Sequence, residues 1–217
     1  CGGLSLAATS LSEPEQAHVM SGIARNNIIT NSGKGWAGFV NNAHYGNAFS
    51  LAETETGSST FIIEDNLVDT FTWLGVKYRG GEIQARRNIF RNGTGEYDGA
   101  EGSVLRAAVL GAGGGEVGEN TTGECRGVFE SNIAYDCNCP AVVMGNNTPP
   151  IGDGIFVTNN VFINTARVTA DVVSDTGNDS YGALWSGTST GLTFANNIVS
   201  LSGDRMFVYT RNTTYGG

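Results

Sequence analysis

Hydrophobic and polar positions alternate along this chain in short bursts of period two, the signature of half-buried strands rather than helices. Six segments share one pattern: Ile23–Asn31, Ile62–Thr70, Gln84–Asn92, Val128–Asp136, Phe156–Asn164 and Thr193–Leu201. Each is an alternating strand, then an asparagine, then two apolar residues that open another strand. The shared residues are Asn27, Asn66, Asn88, Asn132, Asn160 and Asn197, at spacings of 39, 22, 44, 28 and 37. Internal repetition of this kind is read before any local feature. A spacing of 22 fits one small coil of a strand stack. The longer spacings fit a coil plus an insertion, and 44 leaves room for a second coil without the motif. Stacked coils would set the asparagines ~4.8 Å apart, where their amides hydrogen-bond up the column.

A second apolar strand is expected after each segment: Trp36–Val40, Trp73–Lys77, Val104–Leu110, Ala141–Met144, Ala183–Trp185 and Met206–Tyr209. The insertions, such as Ala52–Ser59, Gly93–Gly102, Gly111–Glu124 and Asp171–Asp179, are rich in Gly, Ser, Thr, Asn and acids. In stacked repeats such insertions emerge on one face and build binding surfaces. The offset of 22 also sets Glu64 over Arg86, Asp65 over Arg87 and Asp69 over Arg91. Three acid–base matches in one register predict that these two coils are direct neighbours. The expected fold is all-β: a right-handed parallel β-helix, or solenoid, of about six coils with loop insertions. Residues 1–20 form an N-terminal segment or cap, with Pro14–Met20 as a short helix or extended strand. Residues 21–217 form the helix domain, as part of a longer chain. The C-terminal residues offer no obvious cap, so the open coil ends call for further chain or for self-association. A propeller or sandwich is the alternative, but hairpin dipeptides at regular spacing are missing.

The Asn-φ-φ repeat resembles the right-handed parallel β-helix proteins of the pectate-lyase-like superfamily, over roughly residues 21–210. That resemblance implies an enzyme or binding module for acidic polysaccharide. In its lyases a Lys or Arg removes the proton alpha to a uronate carboxylate, and Ca²⁺ or further basic residues stabilise the enolate. No lyase signature carries over residue by residue. The best basic candidates for catalysis are Lys77, Arg79 and Arg106, against the alternative of solvated surface charges. The best oxygen donors for Ca²⁺ are Glu96, Asp98 and Glu101 in a glycine-rich insertion, against the alternative of a plain loop. Trp36, Tyr45, Trp73, Tyr78, Tyr97, Tyr181 and Trp185 would either stack on sugars or pack the core.

Composition adds limits. The 32 glycines and 21 asparagines among 217 residues suit many tight turns. The net charge of −9 disfavours nucleic acid and anionic membranes as partners. No apolar run is long enough for a transmembrane helix. Cys125 is expected to pair with Cys137 or Cys139; free buried thiols and a zinc site are the alternatives. Cys1-Gly-Gly resembles a lipoprotein start, and equally a tag remnant or fragment boundary. His18 and His44 are too isolated for a catalytic triad, and Gly111–Gly115 lacks the Lys-Ser/Thr of a phosphate loop. Glycosylation sequons occur at Asn92, Asn120, Asn146, Asn178 and Asn212, a count that chance nearly reaches. The expectation is therefore a secreted or cell-surface carbohydrate-active module. The alternatives are a structural or adhesive β-helix and, lower, an ice-binding one.

Overall fold

The computed structural model describes residues 4–8, 21–32, 47–53, 60–72, 74–79, 81–93, 108–112, 125–139, 141–144, 154–165, 184–186, 192–201 and 208–210. Every strand pairing among them is parallel, in three sheets. Sheet A holds β1 (Leu4–Ala8), β4 (Phe49–Glu53), β7 (Leu74–Arg79), β10 (Ala108–Ala112), β13 (Val142–Met144), β16 (Leu184–Ser186) and β19 (Val208–Thr210). Sheet B holds β2 (Ser21–Arg25), β5 (Thr60–Glu64), β8 (Gly81–Arg86), β11 (Cys125–Glu130), β14 (Ile155–Thr158) and β17 (Leu192–Ala195). Sheet C holds β3 (Ile28–Ser32), β6 (Leu67–Phe71), β9 (Ile89–Gly93), β12 (Ile133–Tyr135), β15 (Val161–Thr165) and β18 (Ile198–Leu201). The chain visits A, B and C in turn, and each strand pairs with the strand three places on. This all-β, all-parallel arrangement is compatible with a β-helix, and among the described residues there is no hairpin pairing of the kind that builds a propeller or sandwich.

Several boundaries differ from expectation. The strand opposite β7 is Phe49–Glu53, whereas Trp36–Val40 lies outside the described residues. Leu4–Ala8, in the segment read as a cap, joins sheet A beside β4. The spacing of 44 hides no extra coil, because β8 pairs directly with β11 and β9 with β12.

The corner between sheets B and C is built identically six times. The residue before each repeat asparagine takes a left-handed backbone: Asn26, Asp65, Arg87, Ser131, Asn159 and Asn196, with φ between 53° and 58°. The repeat asparagine then points along the stack. The side-chain Nδ2 of Asn88 donates to Asn132 Oδ1 at 2.9 Å and to the Ile63 carbonyl at 2.9 Å. Its Oδ1 accepts from the Asn66 backbone N–H at 3.1 Å and from Asn66 Nδ2 at 2.8 Å. All four hydrogen-bonding positions of the amide are filled. The same pattern runs through Asn66, Asn132 and Asn160, and these four side chains are buried. The backbone carbonyl of each accepts from the apolar residue one coil on, as Asn88 does from Ile133 N–H at 2.9 Å.

Alternation then sends apolar residues inward in rows. Ala24, Ile63, Ala85, Phe129 and Val157 stack in sheet B, and Val68, Phe90, Ala134 and Phe162 in sheet C. Small residues alternate with large ones, so the rings interleave: the centroids of Phe90 and Phe129 lie 6.0 Å apart with their planes inclined by 29°. Each fully buried Phe or Ile contributes roughly 1.5–3 kcal/mol. Two glycines are demanded by this packing. A Cβ on Gly127, at φ 127°, would stand 2.0 Å from the Ile83 carbonyl oxygen. At Gly93 it would stand 2.6 Å from the ring of Phe71, its neighbour in register.

A second left-handed row lies at the end of the sheet C strands: Asn31, Thr70, Asn92, Asp136 and Asn164. Thr70, at φ 65°, is the β-branched member and is strained there.

Two outcomes are expected. Replacing Asn88 by Ala strands both Asn66 donors and deprives Asn132 Oδ1 and the Ile63 carbonyl of a donor. It should lower stability by roughly 3 kcal/mol in urea titration. Thr70→Asn should raise it by about 1 kcal/mol, because Asn tolerates the left-handed region.

Candidate functional site

The fixed corner between B and C contrasts with the rest of each repeat. Every chain segment longer than two residues between consecutive strands begins or ends at a strand of sheet A. The insertions therefore border sheet A, and that sheet is the candidate functional face.

Lys77 lies in β7, the third of its seven strands, between Ser50 and Gly111 in register. It is only 8% exposed, so the alternative of a solvated surface charge does not hold for it. Lysine is rarely buried without a compensating partner. Arg79 ends the same strand opposite Ala52. Arg106 lies outside the described residues, two positions before β10, which pairs with β7. Glu96, Asp98 and Glu101 lie outside as well. Among the described residues no group of three or more His, Cys, Asp or Glu is placed to hold a metal ion. Tyr78 cannot stack on a sugar. Its ring is fully buried, its hydroxyl meets the Gly81 and Arg126 carbonyls, and it accepts the Arg126 N–H at 3.1 Å. Of the five sequons, Asn92 is described. It is exposed at a left-handed turn, and its Nδ2 donates to Asp69 at 2.8 Å. Asn120, Asn146, Asn178 and Asn212 lie outside, as do Trp36, Tyr45, Trp73, Tyr97, Tyr181, His18 and His44.

The bridge expected from Cys125 to Cys137 or Cys139 is not formed. Cys137 and Cys139 are free, buried thiols. Cys125 opens a sheet B strand, while the other two follow β12 where sheet C passes to sheet A. They belong to different corners of the coil, which sequence proximity alone does not reveal. The Cys137 thiol donates to the Tyr135 carbonyl at 3.4 Å. Its neighbouring sulfur, together with burial, pushes the Cys139 thiol well above its ordinary value and keeps it protonated.

The outer faces of sheets B and C carry a ladder of charge. Arg25, Glu64, Arg86 and Glu130 succeed one another in register. Arg25 and Arg86 meet Glu64 at 2.8 and 3.9 Å, and Arg86 meets Glu130 at 2.5 Å. In the adjoining turn Arg87 grips Asp65 with two bonds of 2.8 and 2.9 Å. Beyond it Arg91 binds Asp69 at 2.6 Å and Tyr135 at 3.2 Å. These are the three matches expected from the register. Each described arginine side chain, Arg126 with Glu82 included, lies within 4 Å of a carboxylate. This face therefore offers a uronate carboxylate little uncommitted positive charge.

One feature of the face escapes the sequence pattern. The two apolar residues after each repeat asparagine read as a pair entering the core. Alternation splits them: the second goes inward and the first outward. Ile28, Leu67, Ile89, Ile133, Val161 and Ile198 thus form an outward aliphatic row along sheet C, with Ile28 74% and Ile198 63% exposed. The period-two count from Val68 and Phe90 was the available signal.

A scan against family models, a search of curated proteins and a search of solved structures each found no match.

The bonds from Arg91, then Asn92, hold the Asp69 carboxyl below its ordinary value, and Arg87 does the same for Asp65. A depressed carboxylate stabilises the fold above its unfolded midpoint, and that contribution is lost as pH falls through the lowered folded midpoint. In NMR titration both carboxyls should therefore titrate below an ordinary aspartate, with Arg91→Ala moving the Asp69 midpoint up toward the ordinary range.

Proposed function

We propose that the chain is a right-handed parallel β-helix of the pectate-lyase-like kind, exported or surface-held, that binds or cleaves acidic polysaccharide on sheet A. The right hand follows from the general preference of parallel crossover connections. One observation carries the reading: each insertion has a sheet A strand at one end, whereas the B-to-C connections are two residues long, and a buried lysine, Lys77, stands in an inner strand of sheet A with Arg79 two residues on. In a lyase mechanism Lys77 or Arg79 would take the proton alpha to the uronate carboxylate, with Arg106 countering the enolate charge. Glu96, Asp98 and Glu101 would supply oxygen donors if Ca²⁺ bridges protein and substrate.

A second reading is a non-catalytic scaffold or adhesive β-helix. It is favoured by the outer face of sheets B and C, where the described arginines are committed to ion pairs within the chain.

The ultraviolet absorbance of unsaturated uronate, followed over pectate, alginate and glycosaminoglycans with and without Ca²⁺, separates the two. The enzyme reading expects a rise that Lys77→Ala or Arg79→Ala abolishes while the melting transition is retained. A flat trace together with no retention on any immobilised polysaccharide would leave the scaffold reading standing.

A further inference from the structure

The aliphatic row on sheet C faces outward: Ile28, Ile89, Ile133 and Ile198 are exposed, and Leu67 and Val161 are half-buried. Six side chains follow one another at strand separation, a stripe about 24 Å long. Contiguous exposed apolar surface of this kind marks an interaction site. Its charged borders identify the occupant.

In the second and third repeats charge flanks the stripe on both sides. Asp65 and Asp69 stand two residues either side of Leu67, and Arg87 and Arg91 two residues either side of Ile89. The second repeat thus carries acid on both sides of its aliphatic residue, and the third carries base on both sides. All four are on the outer surface, and the two repeats are direct neighbours in register. From this pattern we infer that sheet C docks face to face on sheet C of a second copy of this chain, with the two stacks running in opposite directions.

Two copies meeting through one patch are related by a twofold axis lying in the interface. If that axis runs along the stacking direction, repeats meet their own equivalents. Asp65 then faces Asp69 of the other copy, and Arg87 faces Arg91, so like charges oppose in both repeats. If the axis runs along the strands, between the second and third repeats, rows meet themselves with repeat order reversed. Asp65 then faces Arg87 and Asp69 faces Arg91 of the other copy, twice each. Leu67 packs on Ile89, and Ile28 on Ile133. The neutral pairs Asn26 with Ser131 and Thr30 with Tyr135 complete the four-repeat overlap. Charge arranged so selects orientation more than it adds affinity, and the aliphatic row supplies the driving force. An acidic polysaccharide would find alternating charge there, not a continuous basic track.

Sedimentation equilibrium of the full chain over a wide concentration range should show reversible monomer–dimer exchange. Ile89→Asp should weaken it by roughly tenfold or more. Ile89→Thr, which keeps strand propensity, should weaken it without changing the melting transition. Orientation is read by cross-linking. Ile28→Cys and Ile133→Cys proteins should cross-link when mixed, and neither should do so alone beyond the parent chain's background. A monomer at every concentration, or a dimer indifferent to both Ile89 substitutions, would overturn the inference. So would cross-linking of either cysteine variant alone, which means a parallel pair. Loss of polysaccharide retention in Ile89→Thr with no dimer in the parent would assign the stripe to the ligand and overturn it as well.

Discussion

The structure hangs on the side-chain amide of asparagine. At the corner between sheets B and C the chain turns in two residues, which leaves a backbone N–H and a carbonyl without ladder partners. An amide two bonds from the backbone reaches both and still has one donor and one lone pair for its neighbour in the stack. Aspartate lacks the donors, glutamine is too long, and serine cannot accept two and donate two. Because Asn66, Asn88, Asn132 and Asn160 are each saturated by the coils on either side, the column locks register between coils whose intervening chain varies from 22 to 44 residues. The rows of Phe, Ile and Ala inside, and of charge outside, are aligned as a result.

Burial and charge divide the labour differently. The inward rows supply the driving force through area removed from water, and they alternate in size so that Phe90 and Phe129 interleave over Ala85 and Ala134. The outer ion pairs are mostly part-exposed, with Glu64 buried, and each exposed pair contributes little. Their consequence is selectivity: in the Glu64, Asp65 and Asp69 rows a shifted coil would lose bonds that the native register makes.

Much of the fold was legible because the repeat asparagine has one chemical job, and its period exposes the stack. The Asp65–Arg87 and Asp69–Arg91 matches were legible for the same reason, since a shared offset fixes which side chains meet. Five of the six second strands were legible as apolar runs, but the first was not: Phe49–Glu53 lies beyond a long insertion, where no asparagine marks the register. The cysteines misled because proximity in sequence ignores corners, and Cys125 stands one corner away from Cys137. The outward aliphatic row was hidden by composition, since Ile28 or Ile133 reads as core until alternation is counted from the asparagine. Lys77 was singled out as basic, but its burial was not legible, because its strand neighbours in register, Ser50 and Gly111, belong to distant parts of the chain.

The two-residue turn between B and C has an evolutionary side. With alignment held at one corner, the lengths of the other connections are free variables, and loop closure grows only slowly more costly with length. Segments can lengthen, shorten or be exchanged beside sheet A without disturbing the coils above and below. The molecule thus separates inheritance of its frame from experiment on its surface, and new specificity can arise by insertion rather than by repacking.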